Sequence, residues 1–313
     1  MSLRSWFRRQ LRRVRAGIGF NELQKQLTET KLLSAKLLIA GQQGRPVQGL
    51  GDAEFKVFSQ FGDDGIIQYL IHALDVQSNR HTFIEFGVDD YSESNTRFLL
   101  VNDNWHGLIM DGSEENIRRV QQSDLYWRHD LKAVAAFIDR DNVNALFQNN
   151  GFSGEIGLLS IDIDGNDYWV WEAINVVDPL VVIVEYNSVF GARHAVTIPY
   201  DPAFRRSRAH FSNLYWGCSL KALCLLAEAK GYVFIGCNSA GNNAYFVRED
   251  KAQVFRRLSV DEGFVESRFR ESRDSRGRLS YLSGRQRLEP IRHLPVYHLE
   301  RKTTVAIGKL DES

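Results

Sequence analysis

Acidic residues recur in this 313-residue chain wherever an apolar run gives way to a polar one. Glu85, Asp89 and Asp90 surround a lone glycine, Gly87, in FIEFGVDDYS. Asp111 ends GLIMD, Asp139 follows AVAAFI, and Ser160, Asp162 and Asp164 lie in LLSIDIDGND. Glu185 and Asn187 finish LVVIVEYN. Carboxylates in such places can accept ribose hydroxyls, ligate a hard cation or take up a proton.

The first of these turns is selective. A dinucleotide pyrophosphate wants several glycines and a helix N-terminus. One glycine among three acids would repel it, and suits a ligand with a cationic end instead. S-adenosylmethionine, with a sulfonium and an ammonium, is such a ligand. Glu85, Gly87 and Asp89 are therefore its candidate contacts. Asp111, 24 positions after Gly87, is the candidate ribose acid. NAD would use an acid there as well. Asp139 could meet the adenine amine or cap a helix. Ser160 and Asp162 complete the candidate cofactor set. Asp162, Asp164, Glu185 and Asn187 offer only oxygen ligands, the type that Mg²⁺ prefers. Gly165 falls fourth counting from Asp162, not sixth, so this is no EF-hand loop. His194 and His210 are candidate general bases toward a hydroxyl. Arg193, Arg205, Arg206 and Arg208 share their segment and could grip an anionic acceptor. No G-x-S-x-G or P-loop is present, which disfavours a serine hydrolase or a P-loop kinase.

Positioning these residues takes alternating elements. Strands are expected at 83–88, 107–111, 133–138, 157–163 and 180–187. Helices are expected at 94–103 with Ser94 as cap, from about 113, at 142–149 closed by Gly151, at 167–174 and at 219–230. Strand and helix taking turns predict a mostly parallel α/β sheet with helices on both faces. Residues 231–239 and 242–249 read as a hairpin, hence an antiparallel finish. In open α/β sheets ligands sit beyond the carboxyl ends of the strands, where the acids cluster. Residues 188–215 lack periodicity, and a loop this long is usually a lid or binding loop.

The 39 basic and 39 acidic groups cancel, but not locally. Residues 1–20 carry +6, residues 251–313 carry +5, and 21–250 carry −11. Leu3, Phe7, Leu11, Val14 and Ile18 share one helical face, with Trp6 beside it and arginines opposite. That pattern fits a basic amphipathic arm on an anionic membrane; a transit peptide, a segment binding a partner or nucleic acid, and a solvated arm also fit it. Residues 21–40 read as a second helix with Asn21 as cap, and 41–52 as a Gly-rich linker. The expected organisation is an arm (1–20), helix and linker (21–52), the α/β domain (53–250) and a charged extension (251–313). Composition excludes global disorder, and no apolar run reaches the ~20 residues of a membrane span. Three cysteines without CxxC spacing suit a reducing compartment and argue against structural zinc. An acidic body argues against broad nucleic-acid binding by the main domain.

SQFGDDGI (59–66), FIEFGVDDYSESNTRFLL (83–100), GLIMDGS (107–113), LLSIDIDGNDYWVW (158–171) and the hairpin together resemble FkbM-type S-adenosylmethionine-dependent methyltransferases of class I. The resemblance covers roughly 55–250. It implies a Rossmann-like, seven-stranded sheet with its last strand antiparallel, and methyl transfer to a hydroxyl, often on a sugar or polyketide-type acceptor. It places Glu85 and Gly87 in the first cofactor motif and Asp111 at the ribose. Asp162 and Glu185 match acids that bind Mg²⁺ in some related sugar methyltransferases. Asp90 stands where a glycine is frequent, and Tyr186 separates Glu185 from Asn187 where metal-dependent relatives have adjacent acids.

The expected function is O-methylation of a small-molecule or lipid-linked glycan, in the cytoplasm or at the inner membrane face. An NAD-dependent sugar oxidoreductase or epimerase is the alternative from another enzyme class. A non-catalytic methyltransferase-fold partner in an envelope polysaccharide assembly is the third reading.

Overall fold

The computed structural model describes residues 19–42 and 47–312. Residues 1–18 of the basic arm lie outside them. The chain divides after Pro46 into two compact units. The first contains α1 (Phe20–Gln42), which already includes Asn21, so that residue is not its cap. Leu23, Leu27, Leu33 and Leu37 of α1 are each more than half exposed.

The second unit is the α/β domain. In chain order it comprises α2 (Asp63–Ala73), β1 (Thr82–Phe86), α3 (Arg97–Asp103), β2 (His106–Asp111), α4 (Glu114–Gln121) and α5 (Asp124–Arg128). Then come β3 (Leu131–Ala135), α6 (Val143–Asn149), β4 (Gly154–Ile161), α7 (Asp167–Ala173) and β5 (Val177–Glu185). After β5 follow β6 (Val196–Thr197), α8 (Arg206–Ala209), α9 (Leu220–Ala229), β7 (Tyr232–Cys237) and β8 (Asn243–Arg248). The last segment adds α10 (Val260–Gly263), β9 (Pro295–His298) and β10 (Thr303–Ala306).

Seven strands form one sheet in the order β3-β2-β1-β4-β5-β8-β7. Pairs among β1 to β5 are parallel, and β8 is antiparallel to both β5 and β7. This is the doubly wound sheet with an antiparallel hairpin that the sequence pattern and the resemblance both imply. Alternation along the strands builds its two faces. Ile84 and Phe86, Leu159 and Ile161, and Val182 and Val184 pack with Phe147, Trp171 and Leu223 on one side. Phe83, Leu158, Val181 and Ile183 pack with Ile66, Leu99 and Ile117 on the other. Strands buried on both faces need continuous apolar runs, which is why they were legible.

Three local expectations change. Ser94 caps nothing: α3 begins at Arg97, and the Ser94 hydroxyl donates to the Glu85 carboxylate at 2.5 Å. The third strand is 131–135, because Leu131 and Ala133 alternate into the core while Ala136–Ile138 turn toward a cavity. The segment after β5 is anchored. Its two-residue β6 pairs with β9, Val196 opposite His298 and Thr197 opposite Tyr297, in a three-stranded sheet with β10. Val189, Ile198 and Leu214 share a small core with Ile291, Val296 and Leu310. The charged C-terminal extension thus folds onto the segment after β5.

Candidate active site

The strand order reverses between β1, which leads toward β2 and β3, and β4, which leads toward β5. Such a switch point leaves a crevice beyond the carboxyl ends of the strands. A cavity of about 660 Å³ lies there, lined by the turns after β1, β2, β3 and β4 and by Glu185 at the end of β5. Eight carboxylates and two guanidiniums face it. Its electrostatics therefore favour a cationic ligand and oppose an anionic one.

Glu85 supports this site from beneath. It is buried, and its carboxylate accepts from the Ser94 and Thr96 hydroxyls and from the Asn95 and Thr96 N–H groups. Burial pushes its pKa up despite those bonds. The carboxylate fixes the loop before α3. Gly87 has φ +79°, and a Cβ there would lie 1.4 Å from the Asp162 carbonyl oxygen. This close approach is to the backbone after β4, and it holds the first and fourth turns together. Asp111 accepts from the Asp89 N–H at 3.0 Å and the Ser113 N–H at 2.7 Å, and it lines the cavity. Asp89, itself at φ +49°, is pushed above the usual carboxylate range by partial burial and by Asp111, Asp90 and Asp164.

The fourth turn is held by Asp167, whose carboxylate accepts from the Ile163 N–H at 2.8 Å and the Gly165 N–H at 2.9 Å. This leaves Asp162 and Asp164 beside Glu185. One ligand atom from each of the three lies within 4.8 Å of the others. Burial first, then repulsion from neighbouring carboxylates, Asp164 and Asp167 among them, holds Asp162 and Glu185 well above the ordinary carboxylate range. One Glu185 oxygen, Oε2, is buried with no hydrogen-bond partner. Arg206 is the nearby counter-charge. It donates to Asp164 Oδ1 at 2.7 Å, pairs with Glu271 and lies 4.5 Å over the Trp216 ring.

Not every expected site residue reaches the cavity. Asn187 is spent on backbone: its amide donates to the Leu214 and Trp216 carbonyls and accepts from the Val189 N–H. It clamps the segment after β5 and leaves the three carboxylates without it. Asp139 accepts from the Asp141 and Asn142 N–H groups and shapes the turn before α6. Ser160 accepts from the Asn95 side chain at 3.1 Å behind the cavity wall. His194 pairs with Asp311 at 2.9 Å, and His210 contacts the Ser212 hydroxyl at 2.7 Å. Neither histidine lines the cavity. Burial and His293 push His210 down. Arg205 and Arg206 of the arginine-rich segment line it, and so do Gln60, Asn95, Asn242 and Glu271, which were not singled out. They come from remote segments, and no local pattern marks them.

No protein-family model matches the chain, and no curated sequence does. Solved methyltransferases resemble it in structure. The N-terminal domain of EvdMO1 with S-adenosylhomocysteine bound is 13% identical, with a TM-score of 0.39; the match covers 69% of this chain and 93% of that one. The O-methyltransferase from Bacillus cereus in complex with S-adenosylhomocysteine is 12% identical over 70% of this chain and 91% of that one, with a TM-score of 0.36. An S-adenosylmethionine-dependent methyltransferase from Clostridium acetobutylicum is 9% identical over 59% of this chain and 90% of that one, with a TM-score of 0.38.

Proposed function

We propose that the chain is an S-adenosylmethionine-dependent O-methyltransferase of the FkbM type, acting on a sugar or glycan hydroxyl. The observation that carries this reading is the acidic cavity at the β1/β4 switch point, with Asp111 at the end of β2. S-adenosylmethionine, when bound, supplies an electrophilic methyl on a cationic sulfur. Asp111 would hold the ribose, and Asp89 and the surrounding carboxylates would face the cationic end. The acidic first turn and the antiparallel β8 speak for this ligand over NAD.

Transfer to a hydroxyl also needs an acceptor for its proton. Glu185 lines the cavity with one unpartnered oxygen, and Asp162 lies beside it. In this reading it takes the place first considered for His194 or His210. The trio Asp162, Asp164 and Glu185 also fits Mg²⁺ by donor type and spacing, and such an ion would polarise the acceptor hydroxyl. Formation of S-adenosylhomocysteine with a glycan pool is the test. Turnover is expected, and cofactor binding without turnover on any acceptor would favour the non-catalytic reading. Activity that survives EDTA assigns the trio to proton transfer; activity lost to EDTA and restored by Mg²⁺ assigns it to the metal.

No helix among the described residues is long and apolar enough to cross a membrane. The +6 arm is proposed to bring the enzyme to an anionic membrane and its lipid-linked acceptors. Loss of vesicle co-sedimentation on deleting residues 1–20 is the expected result; equal sedimentation refutes it.

A further inference from the structure

A second chamber, of about 440 Å³, opens beside the first, and Gln60, Glu185, Arg206, Asn242 and Glu271 line both. Its volume is in the range of small-molecule sites. Its outer wall is made by the segment after β5 and by 267–287 of the C-terminal extension. Phe61 and Phe269 pair there with ring centroids 4.9 Å apart, and Trp216 adds a buried ring. These give flat apolar faces beside the polar ends of Gln60 and Glu185, a mixture suited to a sugar ring and its hydroxyls.

The charges differ sharply from those of the first cavity. Arg206, Arg270 and Arg287 face this chamber with only Glu185 and Glu271. Two of the three guanidiniums are committed. Arg206 bridges Asp164 and Glu271, and the buried Arg287 pairs with Glu266 at 2.9 Å and Ser267 at 2.7 Å. Arg270 is exposed and takes part in no ion pair among the described residues. An anionic group would be repelled by the six carboxylates that line only the first cavity and met here by a cation without an ion pair. That allows one orientation, with the anion outward at Arg270 and a hydroxyl inward at Glu185.

We propose that this chamber seats the methyl acceptor and selects a glycoside carrying an anionic group, with Arg270 as the specificity-determining contact. The proposal rests on the methyl-transfer reading and adds the acceptor's chemical class. A carboxylate, as in a uronoside, and a phosphate, as in a sugar phosphate, share the required chemistry. The test titrates methyl glucuronoside, glucose 1-phosphate and neutral methyl glucoside into the full chain saturated with S-adenosylhomocysteine, and into Arg270→Gln. At least one anionic probe is expected to bind about five- to tenfold tighter than the neutral one, and Arg270→Gln is expected to erase that margin. Which anionic probe binds tells carboxylate from phosphate. Equal binding of charged and neutral probes, no binding of any, or an unchanged margin in Arg270→Gln overturns the proposal. Binding of S-adenosylhomocysteine is measured first in the same cell. Its failure counts against the methyl-transfer reading, whereas failure of the probes with the cofactor product bound counts against the acceptor class.

Discussion

Replacing Arg206 with methionine removes the cation that ties the carboxylate trio to the C-terminal extension. The Arg206 side chain is 17% exposed. It donates to Asp164 at 2.7 Å and to the Asn213 carbonyl at 3.0 Å, pairs with Glu271 and covers Trp216. Two unit charges 4.8 Å apart, the span of the trio, repel by about 3.5 kcal/mol at an effective dielectric near 20. Proton uptake by Asp162 or Glu185 relieves part of that. Asp164 and Glu271 are about half exposed, so solvent screens their share. A net cost of roughly 2–4 kcal/mol is left, worth about 3–6 °C in melting temperature for a chain of this size. Methionine keeps the contact with Trp216, so the loss reports charge rather than packing. Calorimetric melting at pH 7 is the assay. Arg206→Lys keeps the charge without the planar fork and should recover only part of the stability. In a cycle with Asp164→Asn, a coupling of about 1–2 kcal/mol is expected. A melting point within about 1 °C of the parent, or a strictly additive cycle, would refute the reasoning.

Three further outcomes follow from the same geometry. Gly87→Ala combines φ +79° with a Cβ 1.4 Å from the Asp162 carbonyl, so it should lower the melting point by about 3–9 °C; an unchanged melt would show that the two turns separate freely. Asp111→Ala should weaken S-adenosylmethionine binding by about ten- to a hundredfold, the worth of a charged acceptor toward ribose hydroxyls, and unchanged binding rejects that role. Asp167 is raised by burial from 3.8 to about 6, so its contribution is full at low pH and is lost as pH rises through 6. Relative to Asp167→Asn, the parent should lose up to about 3 kcal/mol between pH 4 and pH 7, at about 1.4 kcal/mol per pH unit; a flat difference across that range contradicts the assignment.

The sheet was legible because its strands are buried on both faces and therefore carry unbroken apolar runs, as in LVVIVE. Two helix starts were legible for a local reason: Ser113 and Ser219 each accept from the backbone N–H three positions on. The turn acids were legible because an α/β sheet gathers strand ends on one edge. What escaped depends on distant pairings. Arg206 meets Glu271 across 65 positions, and nothing near either residue announces the other. The histidines had suitable chemistry, yet β6 pairs with β9 and the packing of that sheet carries His194 to Asp311. Asn187 shows the same ambiguity. An amide two positions after Glu185 could face a cation or clamp backbone, and only the carbonyls of Leu214 and Trp216 decide it.

Calorimetric titration of the full chain with S-adenosylmethionine tests the central claim most directly. Saturable one-to-one binding, weakened in Asp111→Ala and not competed by NAD, is the predicted result. No heat of binding up to millimolar S-adenosylmethionine, or binding of NAD in its place, would contradict the account.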